Sequence, residues 1–136
     1  MTGDRGQGII QARKCRVLIV EDEAAISILM EDMLLDLGIE IIGPASRLDP
    51  ALQLAREADF DAAILDINIA GTQSYPAADV LRSRGTPVIF ATGYGSSVLP
   101  EHFKSCQILQ KPFDQHRFSE TLHTALAGSP CEIEVV

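Results

Sequence analysis

The chain has 136 residues, of which 46% are hydrophobic, and it carries a formal net charge of -8. That length and apolar share suit one domain with its own core, with no need of disulfide or metal staples. The acidic balance argues against a main role in gripping nucleic acid or an anionic membrane surface, and no apolar run approaches the ~20 residues needed to cross a bilayer.

Residues 1–14 contain scattered charges and glycines around Ile9-Ile10, with no apolar stretch of signal-peptide kind, and are expected to form a flexible leader. A domain is expected over 15–128. Cys15 to Val20 is an apolar run that stops on Glu21-Asp22-Glu23, which predicts a buried strand with acids at its carboxyl end. Ile26, Leu29, Met30, Met33, Leu34 and Leu37 then fall on one helical stripe, stopped by Gly38. Ile39 to Ile42 predicts a brief strand closed by Gly43-Pro44, and Asp49-Pro50 predicts the start of a short helix that ends near Asp59.

Ala62-Ala63-Ile64-Leu65-Asp66 reads as a central strand covered on both faces and ending on a carboxylate. Gly71 to Ser74 reads as loop, and Tyr75 to Arg84 as a helix with Pro76 in its first turn and Gly85 at its stop. Pro87 to Ala91 predicts a fourth strand ending at Thr92. The glycines and Pro100 of the next stretch leave little room for a stable helix. Gln107 to Gln110 predicts the fifth strand, ending at Lys111-Pro112, and Asp114 caps a last helix whose inner face is Phe118, Leu122, Ala125 and Leu126. Residues 129–136 are expected to be a short tail. Five alternations of strand and helix argue for an α/β fold with a parallel sheet and helices on both faces.

Cys15, Cys106 and Cys131 lack metal-ligand spacing and form an odd set, for which a reduced cytoplasmic compartment is the simplest account. His102, His116 and His123 also lack ligand spacing and read as surface residues.

The strand ends bring Glu21-Asp22, Asp66, Thr92 and Lys111 to one edge, where open α/β sheets bind ligands. Any one of them alone could be a helix-terminal acid, a turn residue or a solvated lysine. Together, three carboxylates repel one another unless a cation sits among them, and an all-oxygen set with room for water suits Mg2+. A metal, an ammonium and a hydroxyl around Asp66 make a phosphoryl-transfer site with Asp66 as nucleophile.

Val20-Glu21-Asp22-Glu23, Leu65-Asp66-Ile67-Asn68, Ala91-Thr92-Gly93 and Lys111-Pro112-Phe113 resemble, in order and with similar spacing over Cys15 to Ala127, the four signatures of the response-regulator receiver (CheY-like) family. The resemblance implies a flavodoxin-like sheet in the order 2-1-3-4-5, with Asp66 as phosphoacceptor. It also implies Mg2+ held by Asp22, Asp66 and the Asn68 carbonyl, with Glu21 acting through water, and Thr92 and Lys111 binding the phosphoryl group. The partners implied are a sensor histidine kinase or phosphotransfer protein and an unidentified downstream protein. The chain is then a stand-alone signalling domain and not an enzyme, with no nucleic acid or membrane among its partners.

The run from Val88 to Tyr94 is also similar to a divergent receiver subgroup with a Phe-Ala-Thr-Gly-hydrophobic-Tyr sequence, although here Tyr94 follows Gly93 directly. Two departures affect the relay. Ile108 stands where the family usually has an aromatic residue, and Ile69 to Thr72 replace the usual Pro-rich loop. Thr92, Tyr94 and Ile108 are therefore the expected switch positions, with Tyr94 in a glycine-flanked segment that either moves on phosphorylation or shields the site.

Of three rival readings, two turn on single residues and the third on the whole site. An aspartate-nucleophile phosphohydrolase needs a proton donor where Asn68 stands. Dinucleotide binding needs a third glycine where Val98 stands. A pseudo-receiver that binds partners without phosphorylation has no need of the full acid, hydroxyl and lysine set.

Overall fold

The computed structural model describes residues 13–93 and 99–133. Five strands build the main sheet: β1 (Arg16–Val20), β2 (Glu40–Ala45), β3 (Ala62–Asp66), β4 (Val88–Thr92) and β5 (Gln107–Gln110). All neighbours are parallel, in the spatial order β2-β1-β3-β4-β5. This is the flavodoxin-like order expected from the sequence.

The strand residues alternate strictly between two cores. Val17, Ile19, Ala62, Ile64, Ile89 and Ala91 face one cluster with α1 (Ala24–Asp36) and α4 (Gln115–Leu126). Leu18, Val20, Ala63, Leu65, Val88 and Phe90 face the other, with α2 (Leu48–Glu57) and α3 (Tyr75–Ser83). Side chains of successive strand residues point to opposite faces, so a continuous apolar run serves two helical layers at once. Ala51, Ala55, Ala77 and Ala78 are fully buried and let α2 and α3 approach the sheet closely.

Several local expectations change. Leu29 faces outward at 39% exposed, and Ser27 takes a buried place on α1, so the inner stripe is Met30, Met33, Leu34 and Leu37. Helix α2 starts at Leu48, leaving Asp49 and Pro50 inside its first turn. β2 continues through Gly43-Pro44 to Ala45, which an edge strand tolerates because proline's missing donor faces no partner. Gly43 has φ +93, and a Cβ there would meet Ala45 N at 2.9 Å and Ile19 O at 3.0 Å, so the register shift between β1 and β2 requires glycine.

The cysteine reading also changes. Cys15 and Cys131 form a disulfide, and only Cys106 of the three is free. Their separation of 116 residues hides the pairing from any spacing rule, since it is the fold that returns the chain past α4 to the start of β1. Arg13–Lys14 and Cys131–Glu132 pair there as a short parallel ladder, joining residues expected to lie in the leader and the tail. No helix among the described residues is long and apolar enough to cross a membrane.

Candidate functional site

Strands β1 and β3 are neighbours, so their carboxyl ends deliver Glu21, Asp22 and Asp66 to the same point, with one carboxylate oxygen of each within 4.8 Å of the others. Lys111 reaches in from the end of β5 and places Nζ 3.1 Å from Glu21 Oε1 and 3.2 Å from Asp66 Oδ2. The backbone locks this approach, because Lys111 N–H donates to the Thr92 carbonyl at 2.8 Å. Thr92 itself is buried at the end of β4.

Exposure separates the three acids. Glu21 is 2% exposed, whereas Asp22 is open to solvent and Asp66 is intermediate. Burial pushes the Glu21 carboxyl up, and the nearby Asp66 charge adds to this, against the opposing hydrogen bonds from Glu23 N–H and Lys111. Burial pulls the Lys111 ammonium down, but Glu21 and Asp66 outweigh it and hold it above its ordinary value. One ammonium thus serves two carboxylates, Glu21 and Asp66, while among the described residues no ion pair involves Asp22. The all-oxygen donor set, its excess of negative charge and its open side fit a hard divalent cation that keeps part of its water.

Asp22 is positioned by a feature that sequence reasoning read as loop. Asn68–Ile69 and Thr72–Gln73 pair as a small antiparallel hairpin, and its turn residues Ala70 and Gly71 have φ of 50 and 83. Both values suit a two-residue hairpin turn. The turn aims Ala70 N–H at Asp22 Oδ2, 2.9 Å away, and Ser74 N–H closes the hairpin onto the Ile67 carbonyl at 2.8 Å. Gly71 was a visible turn signal, but an alanine in a left-handed position gives none. Asn68 is exposed at the start of this hairpin, directly after Ile67 and Asp66.

Of the expected switch positions, Thr92 follows Ala91, the β4 residue paired with Asp66, and Ile108 is half-buried on β5 opposite Phe90. Tyr94 lies outside the described residues. Between β4 and β5, Phe103 is fully buried, with its ring stacked on Tyr75 at 5.4 Å and edge-on to Phe90 at 5.3 Å. Arg82 donates to the His102 carbonyl, and Asp79 lies 3.4 Å from His102 Nε2, so α3 anchors this segment.

Comparison with known proteins places this geometry. The family model for the response regulator receiver domain matches residues 17–123. Phyllosphere-induced regulator PhyR of Methylorubrum extorquens is 30% identical over 130 residues, which is 93% of this chain and 49% of that protein. Transcriptional regulatory protein PdtaR of Mycobacterium tuberculosis is 33% identical over 102 residues, 72% of this chain and 50% of that protein. The chain therefore spans about half the length of these curated relatives. The solution structure of SdrG from Sphingomonas melonis Fr1 superposes with a TM-score of 0.75 at 35% identity, covering 87% of this chain and 99% of that one. With the family match spanning all but the first residue of the five-stranded sheet and all four strand ends that form the acidic site, the chain belongs to the response regulator receiver domain family, a signalling domain and not a catalytic enzyme.

Proposed function

We propose that this domain accepts a phosphoryl group on Asp66 from a sensor histidine kinase or phosphotransfer protein, in a reaction that depends on Mg2+. The observation that carries the proposal is the meeting of Glu21, Asp22 and Asp66 within 4.8 Å, with Lys111 Nζ 3.2 Å from Asp66. Asp22, Asp66 and the Asn68 carbonyl would hold the cation, with Glu21 beside them as an indirect ligand. When bound, Mg2+ neutralises charge on the transferring phosphoryl group.

The chain's own residues do the rest. Asp66 is the nucleophile, since a carboxylate oxygen can form an acyl phosphate. Lys111 and the Thr92 hydroxyl hold the added phosphoryl oxygens by charge and hydrogen bond. The approach of a donor protein is served by α1, which begins directly after Asp22 and Glu23 and exposes Ile28 at 59% and Leu35 at 62%. Exposed large apolar side chains on one helix beside a reactive carboxylate suit a partner that docks there. A cytoplasmic setting follows from such a donor. The described residues carry the full acceptor set, which favours this reading over a pseudo-receiver that binds partners without phosphorylation.

Asp66→Asn is expected to abolish labelling by a small-molecule phosphodonor, because an amide is not a nucleophile. Asp22→Ala is expected to lose most of it through the cation. Label that persists on the Asp66→Asn protein at another residue overturns the assignment.

A further inference from the structure

The edge of the sheet opposite the acidic site carries a second constellation. Cys15 precedes β1 and Asp61 precedes β3, and the Cys15 and Cys131 sulfurs and an Asp61 carboxylate oxygen lie within 4.8 Å of one another. Asp61 is committed elsewhere. It accepts from Arg13 at 2.7 and 2.9 Å and from Arg16 N–H at 2.8 Å, which fixes the 13–14 strand to the body of the domain.

The segment that pairs with that strand is held differently. Apart from the disulfide, residues 131–133 are held by a two-residue ladder with Arg13–Lys14 and by apolar contact of Cys131 and Ile133 with the core. So small a strand pairing is not stable in water by itself. The two cysteines differ in exposure. Cys15 is fully buried and Cys131 is half-buried, and both residues border a cavity of about 220 Å³ together with His123, Leu126 and Ser129.

Lasting disulfides are rare in the cytosol, and those found there are mostly transient or redox-sensing. The cytosolic setting rests on the phosphoacceptor reading. We propose that the Cys15–Cys131 bond is a thiol-exchangeable clasp, opened at Cys131 by a dithiol reductant, that determines whether residues 129–133 stay docked on the amino end of the sheet. A thiolate of the reductant attacks the accessible Cys131 sulfur and forms a mixed disulfide, and the Cys15 sulfur departs with the bonding pair and takes up a proton. The reductant's second thiol then attacks its partner sulfur in the mixed disulfide, releasing Cys131 as a thiol. The protein bond is reduced by two electrons and the dithiol is oxidised to its own disulfide. The sheet stays folded, because the buried contacts of Val17, Ile19, Ile64, Ile89, Phe118 and Leu122 do not depend on the released segment.

The test uses the full chain carrying Cys106→Ser, purified with thiols blocked, and compares oxidised and reduced dithiothreitol as the probe. Peptide mapping is expected to find the Cys15–Cys131 link in the oxidised protein. Reduction is expected to raise amide exchange about tenfold or more at residues 13–14 and 131–133, while leaving 17–20, 62–65 and 88–92 protected. Cys131→Ser, examined without reductant, is expected to match the reduced pattern. Absence of the link, unchanged exchange at 131–133 on reduction, or loss of protection across the whole sheet each overturns the clasp. Labelling of Asp66 by a phosphodonor is followed in the same samples. Its failure in both redox states refutes the phosphoacceptor reading by itself, because the exchange pattern reports the clasp separately.

Discussion

Lys111 sits between two carboxylates of different exposure, and that asymmetry sets what its removal does. The Glu21 carboxylate has no exposed surface, whereas that of Asp66 keeps 17%, so loss of the ammonium strands Glu21 more severely than Asp66. Lys111→Ala is expected to lower stability by about 1–3 kcal/mol, the usual cost of an orphaned buried polar group. Glu21→Gln is expected to return part of it in a double-mutant cycle by denaturant unfolding. Equal and additive losses in the two single variants contradict the pairing. The same Lys111→Ala protein keeps Asp66, the proposed nucleophile, so it is expected to accept some phosphoryl group while showing a weakened spectral response to phosphorylation. A response of wild-type size contradicts the role given to the ammonium. Asp22, Asp66, Thr92 and Lys111 were legible in the sequence because each lies within two residues of the end of an apolar run. The Ala70 amide that steadies Asp22 was not, since a backbone donor leaves no mark on residue type.

At the scale of elements, the hairpin after Asp66 turns on two residues of positive φ with opposite costs. A side chain at Gly71 meets nothing within 4 Å, so Gly71→Ala is penalised by its backbone alone, at φ +83. The expected loss is about 1–2 kcal/mol. Ala70 already bears such a penalty at φ 50, so Ala70→Gly is expected to be neutral or stabilising by up to about 1 kcal/mol. Shifts of the same sign in thermal melts of the two variants contradict the turn assignment. The strand leading into β1 carries one pH-dependent contribution. Arg13 holds the Asp61 carboxyl below its ordinary value of 3.8, so the unfolded chain binds the proton more readily than the folded one. That stability is complete above the ordinary value and is lost as pH falls through the lower folded value. Asp61→Asn is therefore expected to flatten the acid limb of urea midpoints below about pH 4. Parallel limbs for the two proteins contradict it. No local rule exposes this pair, because Arg13 and Asp61 meet only once β1 and β3 lie side by side.

For the whole molecule, the layering was legible because five short apolar runs alternate with helix-period stripes or caps, whereas the strand order came from the resemblance to the receiver family. What the sequence concealed depends on long-range return of the chain: the Cys15–Cys131 bond, the outward turn of Leu29, and the anchoring of 99–106 through Phe103. The sheet brings the acidic site and the disulfide to opposite edges, so the proposed phosphoryl transfer and the proposed thiol exchange share no residue. The phosphoacceptor role of Asp66 is tested most directly on the unmodified protein, incubated with a small phosphodonor in Mg2+ and in chelator, by intact mass and peptide mapping. The account predicts a gain of about 80 Da that maps to Asp66 in Mg2+ and is absent in chelator. A gain that maps to another residue, or one of equal extent without the cation, contradicts it.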